Sequence, residues 1–163
     1  MERLIIFRHG KAERGAASGE DFDRALTDRG REDAAALGRM LAMTGVVPDV
    51  ALVSSAVRAV QTFEAARPSF PKAVVRTSRD LYLSSADQLL RAARAEEAAT
   101  VMVVAHNPGV HDLALRLAQA GDGPVAELAR LREGYPTSAT AVFRFDPDGA
   151  AHLVAFHTPR GRG

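Results

Sequence analysis

The chain has 163 residues, 47% hydrophobic and 25% charged, a length and balance that suit one ordinary domain with a sizeable core. Its net charge of +1, from 21 basic and 20 acidic residues, excludes a global electrostatic pull on nucleic acid, so any anion binding must come from local clustering. The lack of cysteine rules out disulfides, thiolate metal sites and cysteine nucleophiles. No apolar run nears the roughly 20 residues that span a bilayer, and Arg8 and His9 interrupt the one early apolar segment. Neither a membrane span nor a signal peptide is expected, and the cytoplasm is the expected compartment.

In chain order, RLIIF (3–7) reads as a strand covered on both faces, running straight into Arg8, His9 and Gly10. LTDRGREDAAALGRMLAMTG (26–45) reads as a helix with Thr27 as N-cap, Asp28 in the first turn, Ala34, Leu37 and Leu41 at helical spacing, and Gly45 as the stop. VALV (50–53) is a second buried strand. SSAVRAVQTFEAA (54–66) follows as a helix capped by Ser54 or Ser55, with Ala56, Val60 and Phe63 on one face. AVV (73–75) is a third buried strand, and SADQLLRAARAEE (85–97) opens a helix with the capping-box pair Ser85 and Gln88. TVMVVA (100–105) is a fourth strand. HNPGVHDLALRLAQA (106–120) is a helix with Asn107 as N-cap, Pro108 at the first helical position, and Val110, Leu113, Ala114 and Leu117 facing the core. ATAVFRF (139–145) and AHLVAF (151–156) read as two strands around the turn DPDG.

Strands alternating with helices imply a mostly parallel sheet with helices on both faces, an α/β three-layer sandwich, and the terminal hairpin adds an antiparallel edge. One domain over residues 1–158 is expected, followed by a frayed basic tail at 159–163. Because sites in such sheets form at the carboxyl ends of strands, the residues there carry the chemistry. Arg8 and His9 follow the first strand. Ser54, Ser55 and, one turn into the helix, Arg58 follow the second. His106 and Asn107 follow the fourth. Two guanidiniums converging on one place need an anion between them, and phosphate matches their fork geometry. A cation at Arg58 opposes the dipole of its own helix, a local conflict characteristic of functional residues. A histidine attacks phosphorus through one ring nitrogen if the other is held as a donor to a backbone carbonyl, which a tight turn at Gly10 brings close. A second histidine donates to a phosphoryl oxygen.

Arg-His-Gly after the first strand, the arginine in SSAVRAVQT, the histidine in VVAHNPG and the segment LTDRG together resemble the histidine phosphatase superfamily, from Leu4 to about Leu117. The short length and the segment DFDRALTDRG resemble its phosphohistidine phosphatase branch, SixA, on a phosphoglycerate-mutase-like fold. The resemblance implies His9 as the phosphorylated nucleophile, with Arg8, Arg58 and His106 as the phosphate pocket, no metal and no cofactor. Asn107 and Arg24 are further expected substrate contacts. The mutase relatives carry a longer polar motif after Arg-His-Gly, which KAERGAASGEDF does not reproduce. They also carry a glutamate acid near the place of Leu83, where Asp80 is the nearest acid here. A phosphoramidate suits a pocket without an acid, because imidazole is a far better leaving group than an alkoxide.

The leading expectation is therefore a metal-independent phosphatase acting on a histidine-phosphorylated phosphotransfer protein. A small-molecule phosphomonoesterase and a non-catalytic phosphate-binding module are the alternatives. A monomer is expected, with neither nucleic acid nor membrane as a partner. Arg24 either lines the pocket mouth or pairs with Asp21 or Asp23. Lys11 reads as a solvated lysine, Ser55 as a cap, Thr62 as structural, and His111 and Asp112 as surface residues. His152 and His157 carry no assigned role, and the parts of Asp80 and Tyr82 in leaving-group protonation stay open.

Overall fold

The computed structural model describes residues 1–159. Residues 160–163, most of the expected tail, lie outside the described residues. Among the described residues, one sheet of six strands has the order β3-β2-β4-β1-β5-β6. The strands are β1 (Arg3–Arg8), β2 (Val50–Ser54), β3 (Val74–Ser78), β4 (Thr100–Ala105), β5 (Thr140–Phe145) and β6 (Ala151–His157). β1, β2, β3 and β4 run parallel, while β5 and β6 are antiparallel additions beyond β1. The expected three-layer architecture and its antiparallel C-terminal edge are both present.

The alternation of β-strand side chains explains the unbroken apolar runs. Leu4 and Ile6 of β1 pack under α3 (Ala86–Arg94), α4 (Gly109–Ala120) and α5 (Val125–Glu133). Ile5 and Phe7 face the other way, against α1 (Asp28–Met43) and α2 (Val57–Ala66). The helix ends follow local chemistry. Thr27 accepts the Gly30 N–H at 3.0 Å, Gly45 takes a φ of +78°, and Ser85 and Gln88 form the expected capping box.

Three local expectations are corrected, and one helix is added. The third strand lies at Val74–Ser78, not 73–75, and as an edge strand it is largely exposed. Neither serine caps α2. Ser55 N–H still bonds the Ser78 carbonyl at 3.1 Å, which keeps it in the sheet ladder, so Ala56 becomes the N-cap. Asn107 does not cap α4, whose N-cap is Pro108, because its side chain reaches instead to the Tyr135 carbonyl. α5 was not foreseen: VAELARLRE buries only Leu131 fully, so its sequence shows little helical periodicity.

Candidate active site

Strand order builds the site. β4 lies between β2 and β1, so the three strand ends that carry the conspicuous residues are neighbours. Arg8 pairs in register with Ala105, which sets His9 beside His106, their ring centroids 5.2 Å apart. His9 is fixed at its backbone on both sides. Its N–H bonds the Ala105 carbonyl at 3.1 Å, and its carbonyl accepts the Ser138 N–H at 3.0 Å.

The His9 ring is held by the turn that follows it. Nδ1 stands 2.8 Å from the Gly10 carbonyl, and a carbonyl only accepts, so Nδ1 carries the proton and Nε2 keeps its lone pair. Burial is the main cause that pushes the imidazole down to about 3. The Gly10 carbonyl opposes that shift, while His106, Arg8 and Arg58 add to it. His9 is thus neutral at physiological pH. Gly10 is required sterically: a Cβ there would lie 2.7 Å from the Gly30 carbonyl. Its N–H donates to Thr62 Oγ1 at 2.8 Å, and that hydroxyl donates to the Arg58 carbonyl at 2.7 Å. Thr62 therefore ties the Arg-His-Gly turn to the helix carrying Arg58. Gly30 has the same necessity, since its Cβ would meet the Lys11 carbonyl at 2.2 Å, which explains the glycine of LTDRG.

His106 is almost fully buried, and its Nε2 stands 2.7 Å from Ser54 Oγ. That Oγ already accepts the Ala56 N–H at 3.3 Å, which directs its own proton to Nε2. The proton of the His106 ring then sits on Nδ1, a buried nitrogen without a protein partner. Burial first, and Arg58 next, push this imidazole down to about 4.

The two arginines complete the cluster. Arg58, 4% exposed, donates through NH1 to the Asp21 carbonyl at 2.8 Å and through NH2 to Asp21 Oδ2 at 3.0 Å. Arg8 donates to the Tyr135 carbonyl at 2.9 Å, and burial together with Arg58 lowers its pKa. The Nε atoms of both arginines are buried and have no partner. Asp21 also accepts from Tyr82 OH at 2.5 Å. That bond first, and Arg58 after it, holds the carboxyl below its usual range, so Asp21 is an anion and a poor proton donor. The Tyr82 ring stands edge-on to His106 with centroids 5.4 Å apart.

Arg8, His9, Arg58 and His106 thus come together as expected. Asn107 sits at the flank, its amide donating to the same Tyr135 carbonyl at 3.1 Å. Arg24 is one carboxylate removed: its Nε is 3.5 Å from Asp21 Oδ1, and it lines a cavity of about 240 Å³ with Arg14, Glu20 and Asp21. Lys11 is exposed, as is Asp112. His111 departs from the surface reading, because its Nε2 reaches the Leu131 carbonyl at 2.7 Å and anchors α5 to α4. The sequence reading missed Tyr135, the clamp made by Asp21, and the hold of Ser54 on His106. Tyr135 contributes a carbonyl that any residue type would supply. Ser54 sits at a strand end like the residues that were found, and that placement was the available signal.

The sequence profile of the histidine phosphatase superfamily (branch 1) matches residues 4–82. An uncharacterized protein of Mycobacterium tuberculosis is 32% identical over 149 residues, which cover 86% of this chain and 92% of that one. The chain belongs to the histidine phosphatase superfamily. Within it, the fold is similar to that of a protein of Agrobacterium tumefaciens provisionally named phosphohistidine phosphatase SixA. That match has 29% identity and a TM-score of 0.85, and covers 97% of this chain and 98% of the other. It is also similar to the protein histidine phosphatase SixA complexed with tungstate, at 27% identity and a TM-score of 0.74, covering 96% and 97% of the two chains. A phosphoglycerate mutase of Plasmodium falciparum, 18% identical with a TM-score of 0.64 over 99% and 96% of the chains, shares the fold. The family and the two SixA neighbours support a phosphatase, a hydrolase acting on phosphate-bearing substrates. Among the described residues no helix is long and apolar enough to cross a membrane.

Proposed function

We propose that this chain is a metal-independent phosphohistidine phosphatase that works through a phospho-His9 intermediate, its substrate a histidine-phosphorylated protein of a signalling relay. The observation that carries this reading is a pair of neutral histidines beside Arg8 and Arg58, with buried donors at Arg8 Nε, Arg58 Nε and His106 Nδ1 that no protein atom accepts. Three such donors suit the equatorial oxygens of a phosphoryl group.

In the first step His9 Nε2 attacks phosphorus, the new P–N bond forms, and the P–N bond to the substrate histidine breaks. With its second nitrogen protonated, the departing ring leaves as neutral imidazole and needs no enzymic acid. Arg8, Arg58 and His106 Nδ1–H bear the charge on the transferring oxygens. In the second step water attacks the phosphorus of phospho-His9, giving inorganic phosphate and restoring the imidazole. The ionised Asp21 supports a phosphoramidate over an ester: the carboxyl beside the arginines is held deprotonated by Tyr82 and Arg58, and an alkoxide leaving group needs a proton. Asn107 orders the Arg8 side of the pocket through Tyr135, and Arg24 biases Asp21. Residues 1–158 act as one domain, and a single cytoplasmic copy suffices.

The test compares a histidine-phosphorylated phosphotransfer domain with para-nitrophenyl phosphate, in chelator, for wild type and His9→Ala. Fast loss of phosphohistidine, slow ester turnover and an acid-labile phosphoenzyme that requires His9 are the expected results. Fast ester turnover with an inert phosphoprotein would move the chain to the small-molecule phosphomonoesterases.

A further inference from the structure

The loop between β3 and α3 carries an anomaly. Leu83 has a φ of 54° and is 57% exposed, an apolar side chain in a backbone region that suits glycine or asparagine. Its neighbours hold it there. Asp80 N–H bonds Ser78 Oγ at 3.1 Å, Tyr82 N–H bonds the Arg79 carbonyl at 3.0 Å, and Ser84 Oγ bonds the Leu81 carbonyl at 3.1 Å. Leu81 and Ser84 are buried, and Ser84 O sits so close to α4 that a Cβ on Gly109 would lie 2.1 Å from it. The strain is therefore imposed from both sides of Leu83, and the fold gains little burial of its side chain in return.

The location matters as much as the strain. Tyr82, the residue before Leu83, stands edge-on to His106 and bonds the Asp21 carboxylate that clamps Arg58. On the same rim, the Arg79 guanidinium stacks over the Phe22 ring at 4.1 Å and makes no ion pair among the described residues. An apolar knob next in the chain to Tyr82, and a stacked, unpaired cation joined to Tyr82 through Phe22, thus lie on the side of the site where Tyr82 meets His106. A small phosphate ester has no use for either. A protein surface with an apolar patch next to its phosphohistidine, and a carboxylate beside that patch, complements both.

We infer that Leu83, held outward at the rim of the histidine site, is a docking contact for the protein that carries the phosphohistidine, with Arg79 beside it facing an acidic group of that partner; this rests on the function proposed above. The contact acts on the encounter with the protein and leaves the phosphoryl chemistry alone.

The test uses the full chain as wild type, Leu83→Asn, Leu83→Met and Arg79→Glu. Each is assayed on a histidine-phosphorylated phosphotransfer domain and on free phosphohistidine, and each is melted. Asparagine tolerates the left-handed region, so Leu83→Asn should melt at or above the wild-type temperature. Its kcat/KM on the phosphoprotein should fall about tenfold through KM, as expected for the loss of one buried apolar contact, with turnover of free phosphohistidine unchanged. Leu83→Met should retain phosphoprotein turnover, and Arg79→Glu should raise KM for the protein alone. Equal losses on both substrates, or no loss on either, would overturn the docking role. A wild type inactive on both phosphohistidine substrates would instead overturn the proposed function, and the docking role with it.

Discussion

Two histidine clusters sit at opposite ends of this sheet and are built on opposite electrostatic plans. At the carboxyl ends of β1, β2 and β4, His9 and His106 are buried beside Arg8 and Arg58, and both are pushed toward the neutral form. At the other end, His152 of β6 pairs in register with Arg144, itself opposite Arg3 at the start of β1. There Nδ1 meets Asp122 Oδ1 at 2.5 Å and Nε2 meets Asp146 Oδ2 at 2.8 Å, and these hydrogen bonds raise the His152 pKa. Every polar atom of that imidazole has a partner, and the cluster fastens the hairpin to the α4–α5 connection. The contrast separates a structural cluster from the candidate site: both nitrogens of His152 meet a carboxylate, whereas Arg8 Nε, Arg58 Nε and His106 Nδ1 are buried donors without a protein acceptor.

The strongest break of this contrast is His9→Ala. If Nε2 is the nucleophile, turnover falls by roughly 10⁴-fold or more and no acid-labile phosphoenzyme is trapped, while the melting temperature stays near that of wild type. Arg58→Ala comes next, with an expected loss of about 10²–10³-fold in kcat/KM from one charge-stabilising group, and Arg58→Lys should restore little because the two-pronged hold on Asp21 needs a guanidinium. Steady-state kinetics on a phosphohistidine substrate would check both. Thr62→Val tests the tie between the two motifs. It leaves the buried Gly10 N–H without an acceptor, so unfolding should be easier by about 1–3 kcal/mol in denaturant titration, with a smaller loss of activity.

The pH dependence is the gentlest test and sharpens the contrast on both sides. His9 and His106 have folded pKa values of about 3 and about 4, below the unfolded value near 6.5. Between those limits the unfolded chain binds protons that the folded pocket refuses, so stability declines as pH falls below about 6.5. His152 works the other way. Its raised pKa adds stability that is fully present below the unfolded value and is lost as pH rises through the folded one. Thermal melts from pH 4 to pH 9 should show both arms. His152→Gln should flatten the alkaline arm and leave the acid arm intact, and loss of the acid arm in that variant would refute the assignment.

Much of the site was legible because its residues lie where strands stop. Arg8, His9 and His106 follow runs buried on both faces, where a polar residue stands out, and Arg58 contradicts the dipole of its helix. The alternation of β1 between two cores follows from the same apolar runs, and so does the placement of helices on both faces. The supporting residues were not legible. Asp21 reaches Arg58 across 37 positions of chain, and Tyr135 reaches Arg8 across 127, through a loop whose docking leaves no periodicity. The strand at Val74–Ser78 and α5 were misread or missed for a related reason: an edge strand and a helix with one fully buried residue bury too little apolar surface to write a pattern.

By itself, then, the sequence determined the layered α/β plan and the identity of the arginines and histidines, because hydrophobic periodicity and strand-end chemistry are local properties. Only the tertiary structure decided that β4 lies between β1 and β2, that Thr62 ties the Gly10 turn to the Arg58 helix, that Ser54 directs the His106 proton, and that Asp21 grips Arg58. Those outcomes depend on the order in which strands pair and on contacts between residues far apart in the chain, and close packing settles them only once the whole core has formed.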